Sequence, residues 1–123
     1  WGHAKEYVES MWKIVNYKKP DDYVISTGKT FSVKEFINIC FKVIGINLVW
    51  KGKGLKEIGY DKKTKKVLVR IRKKYFRPLE VDKLMGNSAK TKKILKWKPK
   101  INLKQLAKEM VLSDIKLLKN KNY

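Results

Sequence analysis

Phe31-Ser32-Val33-Lys34-Glu35-Phe36-Ile37-Asn38-Ile39-Cys40-Phe41-Lys42-Val43-Ile44-Gly45, followed by Asn47-Leu48-Val49-Trp50-Lys51, is the stretch that decides the fold class. Ser32 and Glu35 stand at the spacing of a capping box, in which each side chain satisfies a free backbone donor of the other. Phe31 and Phe36 occupy the two positions of a hydrophobic staple. Val33, Phe36, Ile37, Cys40 and Ile44 recur at helical spacing and predict the buried side. Gly45 can adopt the left-handed conformation that ends a helix. Asn47 to Lys51 then alternates as a strand does. A capped helix running into a strand means a mixed α and β fold.

Toward the N-terminus, Ala4, Tyr7, Val8, Met11, Trp12 and Val15 make one apolar stripe and predict a helix from His3 to Tyr17. Lys18, Lys19 and Pro20 end it. Tyr23 to Ile25 reads as a short strand and Ser26 to Lys29 as a turn. Toward the C-terminus, Gly52-Lys53-Gly54 is a flexible loop, and Val67 to Ile71 is a strand after the polar stretch Asp61 to Lys66. A short helix is expected from Ser88 to Leu95, N-capped by Asn87 or Ser88 and closed by Trp97 and Pro99. The last helix starts at Asn102, with Gln105 completing a capping-box-like pair and Ile101 and Leu106 as its staple. Leu103, Leu106, Ala107, Met110, Val111, Leu117 and Leu118 form its apolar side, and Lys119 to Tyr123 is expected to fray. The order is helix, strand, helix, strand, strand, helix, helix. That is an α/β (α+β-like) module, one domain over 1–123, with too few strands for a doubly wound sheet.

The composition agrees with a folded domain: 123 residues, 43% of them apolar. No apolar run is long enough for a membrane span. The chain begins at Trp1 without a leader pattern and reads as an excised piece. One cysteine, Cys40, excludes an internal disulfide and a thiolate zinc cage, which suits a reducing compartment. Cys40 itself reads as a core residue. The formal net charge of +20 raises nucleic acid as a partner. Lysine supplies nearly all of it, however. The only arginines, the better forks for phosphate and guanine, are Arg70, Arg72 and Arg77. The lysines are dispersed over polar helix sides, and Trp12, Phe36 and Phe41 are assigned mostly to core. A solvated basic surface is the simpler reading than a polyanion-binding or RNA-binding module.

Chemistry-bearing motifs are few. No glycine-rich dinucleotide fingerprint or Walker A loop is present. His3 is the only histidine, which excludes a histidine-rich metal site and suits a structural role. Ser26, Ser32, Ser88 and Ser113 have no nucleophile-elbow context. What remains is an anion site. Arg77 follows a strand, Pro78 disfavours helix there, and Glu80 lies three positions on. A guanidinium so held can fork onto a diphosphate, and a carboxylate nearby can accept from the vicinal hydroxyls of a ribose. A plain surface ion pair fits the same spacing.

Several blocks, in order, resemble one family along the whole chain. Trp1-Gly2-His3-Ala4-Lys5-Glu6-Tyr7-Val8-Glu9-Ser10-Met11-Trp12 is similar to the start of the C-terminal half of GDP-mannose 4,6-dehydratases. So are Asp22-Tyr23-Val24-Ile25-Ser26-Thr27-Gly28, Ser32-Val33-Lys34-Glu35-Phe36, Val49-Trp50-Lys51-Gly52-Lys53-Gly54, Tyr75-Phe76-Arg77-Pro78-Leu79-Glu80-Val81 and Leu95-Lys96-Trp97-Lys98-Pro99. Arg72-Lys73, Asn87 and Lys51 depart from the family pattern.

The resemblance implies a small C-terminal substrate-binding portion of an extended short-chain dehydrogenase, lacking most of the Rossmann sheet. Residues 1–19 would pack on that missing half. It implies a lyase of GDP-fucose biosynthesis. Bound NADP takes hydride from C4 of the mannose, a glutamate removes the C5 proton, water leaves from C6, and hydride returns to C6. The product is GDP-4-keto-6-deoxymannose. The catalytic groups and the NADP site would lie upstream of Trp1, so this piece alone is expected to be inactive. By resemblance Arg77 contacts the GDP-mannose diphosphate and Glu80 the ribose, with Tyr75 and Lys53 lining the same cleft. A cytoplasmic, homo-oligomeric full-length enzyme without a membrane partner is implied. Another nucleotide-sugar epimerase or dehydratase of the same family is the nearest alternative.

Overall fold

The computed structural model describes residues 1–77, 81 and 84–120. Among these residues the elements follow in the order α1 (Ala4–Val15), α2 (Val33–Val43), β1 (Leu48–Lys51), a 3-10 turn (Gly54–Lys56), β2 (Ile58–Asp61), β3 (Val67–Arg70), a second 3-10 turn (Lys73–Tyr75), α3 (Ala89–Leu95) and α4 (Leu103–Asn120). The chain forms two compact units. One comprises Trp1–Ser32 with Lys83–Tyr123, the other Val33–Asp82.

The discontinuous unit is built around Trp97, 2% exposed, with Leu95, Leu103, Ala107, Ser10, Ser88 and Thr91 also buried. The Trp97 indole donates to the Glu6 carbonyl at 2.8 Å, and the Tyr7 ring meets it edge-on at 6.2 Å. The Glu6 carboxylate is buried beside them. Its Oε1 accepts from the backbone N–H of Lys100 at 2.6 Å and of Ile101 at 3.1 Å. Its Oε2 makes no hydrogen bond. The reciprocal cap expected on α4 is present: Asn102 Oδ1 accepts from Gln105 N at 3.1 Å and Gln105 Oε1 from Asn102 N at 2.9 Å. On α3 the side chain that caps is Asn87, whose Oδ1 accepts from Ala89 N at 3.0 Å.

Four expectations are corrected here. Tyr23 to Ile25 is not a strand. Its neighbourhood bonds to hydroxyls instead of a ladder: Thr91 Oγ1 donates to the Val24 carbonyl at 2.7 Å and Ser88 Oγ to the Ser26 carbonyl at 3.1 Å. Trp12, assigned mostly to core, is 71% exposed, and Val8, Met11 and Val15 on the same helix are 60–81% exposed, while polar Glu6 and Ser10 are buried. Trp12 is therefore not core. The distal half of the α4 stripe is likewise open at Met110, Leu117 and Leu118. On α2 the ends of the apolar side, Val33 and Ile44, are exposed, and Phe36, Ile37 and Cys40 are half-buried. Burial pushes the Cys40 thiol up, which keeps it protonated and inert.

The other unit carries an antiparallel sheet in the order β1-β2-β3. Trp50 pairs with Gly59, and Gly59 with Val69. A methyl at Gly59 would lie 3.2 Å from both the Trp50 ring and Val69, so the glycine makes room for the indole. The β2–β3 turn is held by Asp61, whose carboxylate accepts from Thr64 Oγ1 at 2.7 Å and from Lys63 N at 3.0 Å. Gly45 ends α2 with φ +76, as its position predicted.

Candidate functional site

The residues expected to meet a nucleotide lie on the backbone that follows β1 and β3. After β1 the chain folds back sharply at Gly52, where φ is +91 and an added Cβ would sit 2.5 Å from the Lys56 carbonyl oxygen. Only glycine fits such a close approach. Lys53 is exposed and extended at φ −142, and its carbonyl accepts from Lys56 N at 3.2 Å.

An aromatic and ionic clasp ties this turn to α2. Lys34 Nζ lies 2.6 Å from Glu57 Oε1 and 4.8 Å from the centre of the Trp50 ring, a cation–π distance. The Trp50 indole donates to Asn38 Oδ1 at 2.8 Å. Two residues of the strand and turn region, Trp50 and Glu57, thus report to one face of α2. The sequence offered Lys34 and Trp50 only as parts of separate blocks.

Beyond β3, Tyr75 closes the second 3-10 turn through its N–H, which donates to the Arg72 carbonyl at 3.0 Å. The Tyr75 ring is 75% exposed, with the Lys74 ammonium 5.6 Å from its centre. Arg77 is exposed two residues later. Glu80 lies outside the described residues, so the expected pairing of Arg77 with Glu80 is described at its arginine end alone. Lys53, Tyr75 and Arg77 belong to the same compact unit.

That unit also contains a cleft of about 470 Å³ lined by Leu55, Lys56, Glu57, Ile58, Arg70, Ile71 and Arg72. Two of the chain's arginines line it, and sequence reasoning had singled out neither as a ligand. The signal was available: residues two apart on an extended strand face the same way.

His3 has the structural role expected of it. Its Nδ1 accepts from Lys5 N at 3.1 Å at the start of α1, and its Nε2 lies 3.1 Å from Glu109 Oε1. An Nδ1 that accepts leaves the proton on Nε2, which donates to the carboxylate. No group of His, Cys, Asp and Glu among the described residues could hold a metal. None of their helices is long and apolar enough to cross a membrane. Among the described residues the three strands pair in antiparallel fashion, and none runs through a glycine-rich turn into a helix, the context of a dinucleotide fingerprint.

Comparison with known proteins agrees with the blocks read from the sequence. The family described as GDP-mannose 4,6 dehydratase matches residues 1–110. The chain is 54% identical over 118 residues to GDP-mannose 4,6 dehydratase 2 of Caenorhabditis elegans, covering 96% of this chain and 31% of that protein. It is 52% identical over 120 residues to the GDP-mannose 4,6 dehydratase of Dictyostelium discoideum, covering 98% and 34%. For the Homo sapiens protein of the same name the identity is 46% over 119 residues, covering 97% and 32%. The chain thus spans about a third of the length of the curated relatives it matches.

Proposed function

The chain belongs to the GDP-mannose 4,6 dehydratase family, and from that premise we propose that it is the GDP-mannose-binding portion of a dehydratase that yields GDP-4-keto-6-deoxymannose. The catalytic groups lie in the two-thirds of the relatives' length that this chain does not span. NADP, held there, would supply the hydride acceptor and donor of the reaction. The part played by this chain is binding: Arg77 forks onto the diphosphate, Glu80 accepts from the ribose hydroxyls, and Tyr75 and Lys53 line the sugar-nucleotide cleft. The clasp of Lys34, Glu57, Trp50 and Asn38 fixes the turn that carries Lys53.

The observation that carries the reading beyond family membership is the open face of α1. Val8, Met11, Trp12 and Val15 fall at i, i+3, i+4 and i+7 and are 61%, 60%, 71% and 81% exposed. A stripe with that spacing is built to be covered. Its occupant in this reading is the cofactor-binding portion of the same polypeptide, so the segment alone is inactive. The full-length enzyme acts as a cytoplasmic lyase and homo-oligomer in GDP-fucose synthesis.

The test is made on the full-length polypeptide. Arg77→Ala should raise the Kd for GDP-mannose by about one to two orders of magnitude, the range for a lost charge-assisted hydrogen bond. An unchanged Kd removes Arg77 from the site. Trp12→Lys should lower Tm by several degrees if the stripe is buried, and by almost nothing if it faces water. Thermal shifts with GDP, UDP and dTDP separate this family member from a nucleotide-sugar enzyme of different base preference.

A further inference from the structure

We propose that the cleft at the end of the β2–β3 ladder is a binding site for a phosphate group, separate from the role assigned to Arg77. Ile58 and Arg70 are register partners there. Arg72 continues the extended backbone at φ −103 and ψ 128. The two-residue period of a strand therefore puts Arg70 and Arg72 on one side, and both line the cleft together with Lys56. The single carboxylate in the lining, Glu57, is engaged by Lys34 at 2.6 Å. Its charge is thus largely spent on a residue that does not line the cleft. Three cationic residues thus border one space, and among the described residues no carboxylate lies within ion-pair distance of any of them.

Like charges gathered on a protein surface repel one another unless an anion joins them. Two guanidinium forks beside one ammonium match the several oxygens of a phosphate dianion, which Arg recognises bidentately and Lys as a point charge. The cleft, about 470 Å³, is much larger than one phosphate, and Leu55 and Ile58 give it apolar lining. The ligand is accordingly a phosphate ester with an apolar or aromatic body, or else free phosphate that leaves that space to water.

Titration calorimetry on the intact protein at constant ionic strength decides the matter, with inorganic phosphate, phenyl phosphate and phenol as probes. Saturable binding of phenyl phosphate, about ten-fold tighter than phosphate and with phenol silent, supports an ester. Equal affinity for phenyl phosphate and phosphate supports the free anion. Arg70→Gln with Arg72→Gln should weaken either by at least about ten-fold. Arg70→Lys with Arg72→Lys, which keeps the charge, should weaken it by less. Lys104→Gln with Lys108→Gln removes the same charge from α4 and should change the affinity by less than about two-fold. An equal loss in the α4 pair would mean a diffuse field and overturn the proposal. So would an absence of saturable binding. Circular dichroism of each variant confirms that loss of binding is not loss of fold.

Discussion

Glu6→Ala is the substitution on which the packing of the discontinuous unit can be tested most sharply. Glu6 is 7% exposed in the wild type, and its Oε1 alone satisfies two backbone donors, Lys100 N at 2.6 Å and Ile101 N at 3.1 Å. Truncation strands both amides. Each orphaned donor costs about 1–3 kcal/mol when water cannot reach it. Both are partly buried, so the lower half of that range applies, and the pair should lose about 2–4 kcal/mol. Relief of the unbonded Oε2 offsets a part of this. For a domain near this size, each kcal/mol moves Tm by roughly 3–6 °C, and a drop on the order of 10 °C is expected. Glu6→Gln keeps an acceptor for the two amides but places an NH2 donor where Oε2 had no partner, so about half the loss should remain. Thermal unfolding of the intact protein, followed by circular dichroism, measures both. A Glu6→Ala variant within about 0.5 kcal/mol of wild type would refute the reasoning.

Trp97→Phe keeps an aromatic ring against Tyr7 but loses the indole donor to the Glu6 carbonyl; about 1–2 kcal/mol of stability should go, read by chemical denaturation. Gly52→Ala forces a side chain into a left-handed φ and against the Lys56 carbonyl; about 1–3 kcal/mol of local stability should be lost, seen as faster amide exchange at Lys56 and Glu57. The Asp61 carboxyl is held below its ordinary value, first by the Thr64 hydroxyl and then by the Lys63 N–H. A depressed carboxylate pKa contributes stability above the ordinary value and loses it as pH falls through the folded one. The β2–β3 turn should therefore loosen only in acid below the usual carboxylate range, and NMR titration of Asp61 should place its midpoint there. Asp61→Asn should flatten that acid dependence.

Features fixed by neighbours in the chain were legible in the sequence. The α4 cap joins residues three apart, and Gly45 ends α2 through its own φ. Features fixed by distant neighbours were not. The amphipathic pattern located α1 but not the covering of its stripe. The burial of Glu6 depends on amides 94 and 95 positions away, which no local period encodes. β2 was missed because Gly59 interrupts its alternation, and that glycine is explained only by the Trp50 ring lying beside it from another strand. The Tyr23 to Ile25 run has strand composition but pairs with no strand among the described residues. Of the site, the Arg77 block was readable from resemblance. The Arg70 and Arg72 pair needed the knowledge that strand geometry continues past β3.

The Trp97 hydrogen bond to Glu6 spans 91 positions of sequence, and this has a temporal side. A ribosome adds roughly 5–20 residues per second, so α1 waits on the order of five to twenty seconds before the indole that secures it exists. Throughout that interval the hairpins of the 33–82 excursion, whose bonds are local, are free to form. Of the helices described, α1 is thus made first, yet its bond to Trp97 is among the last to form.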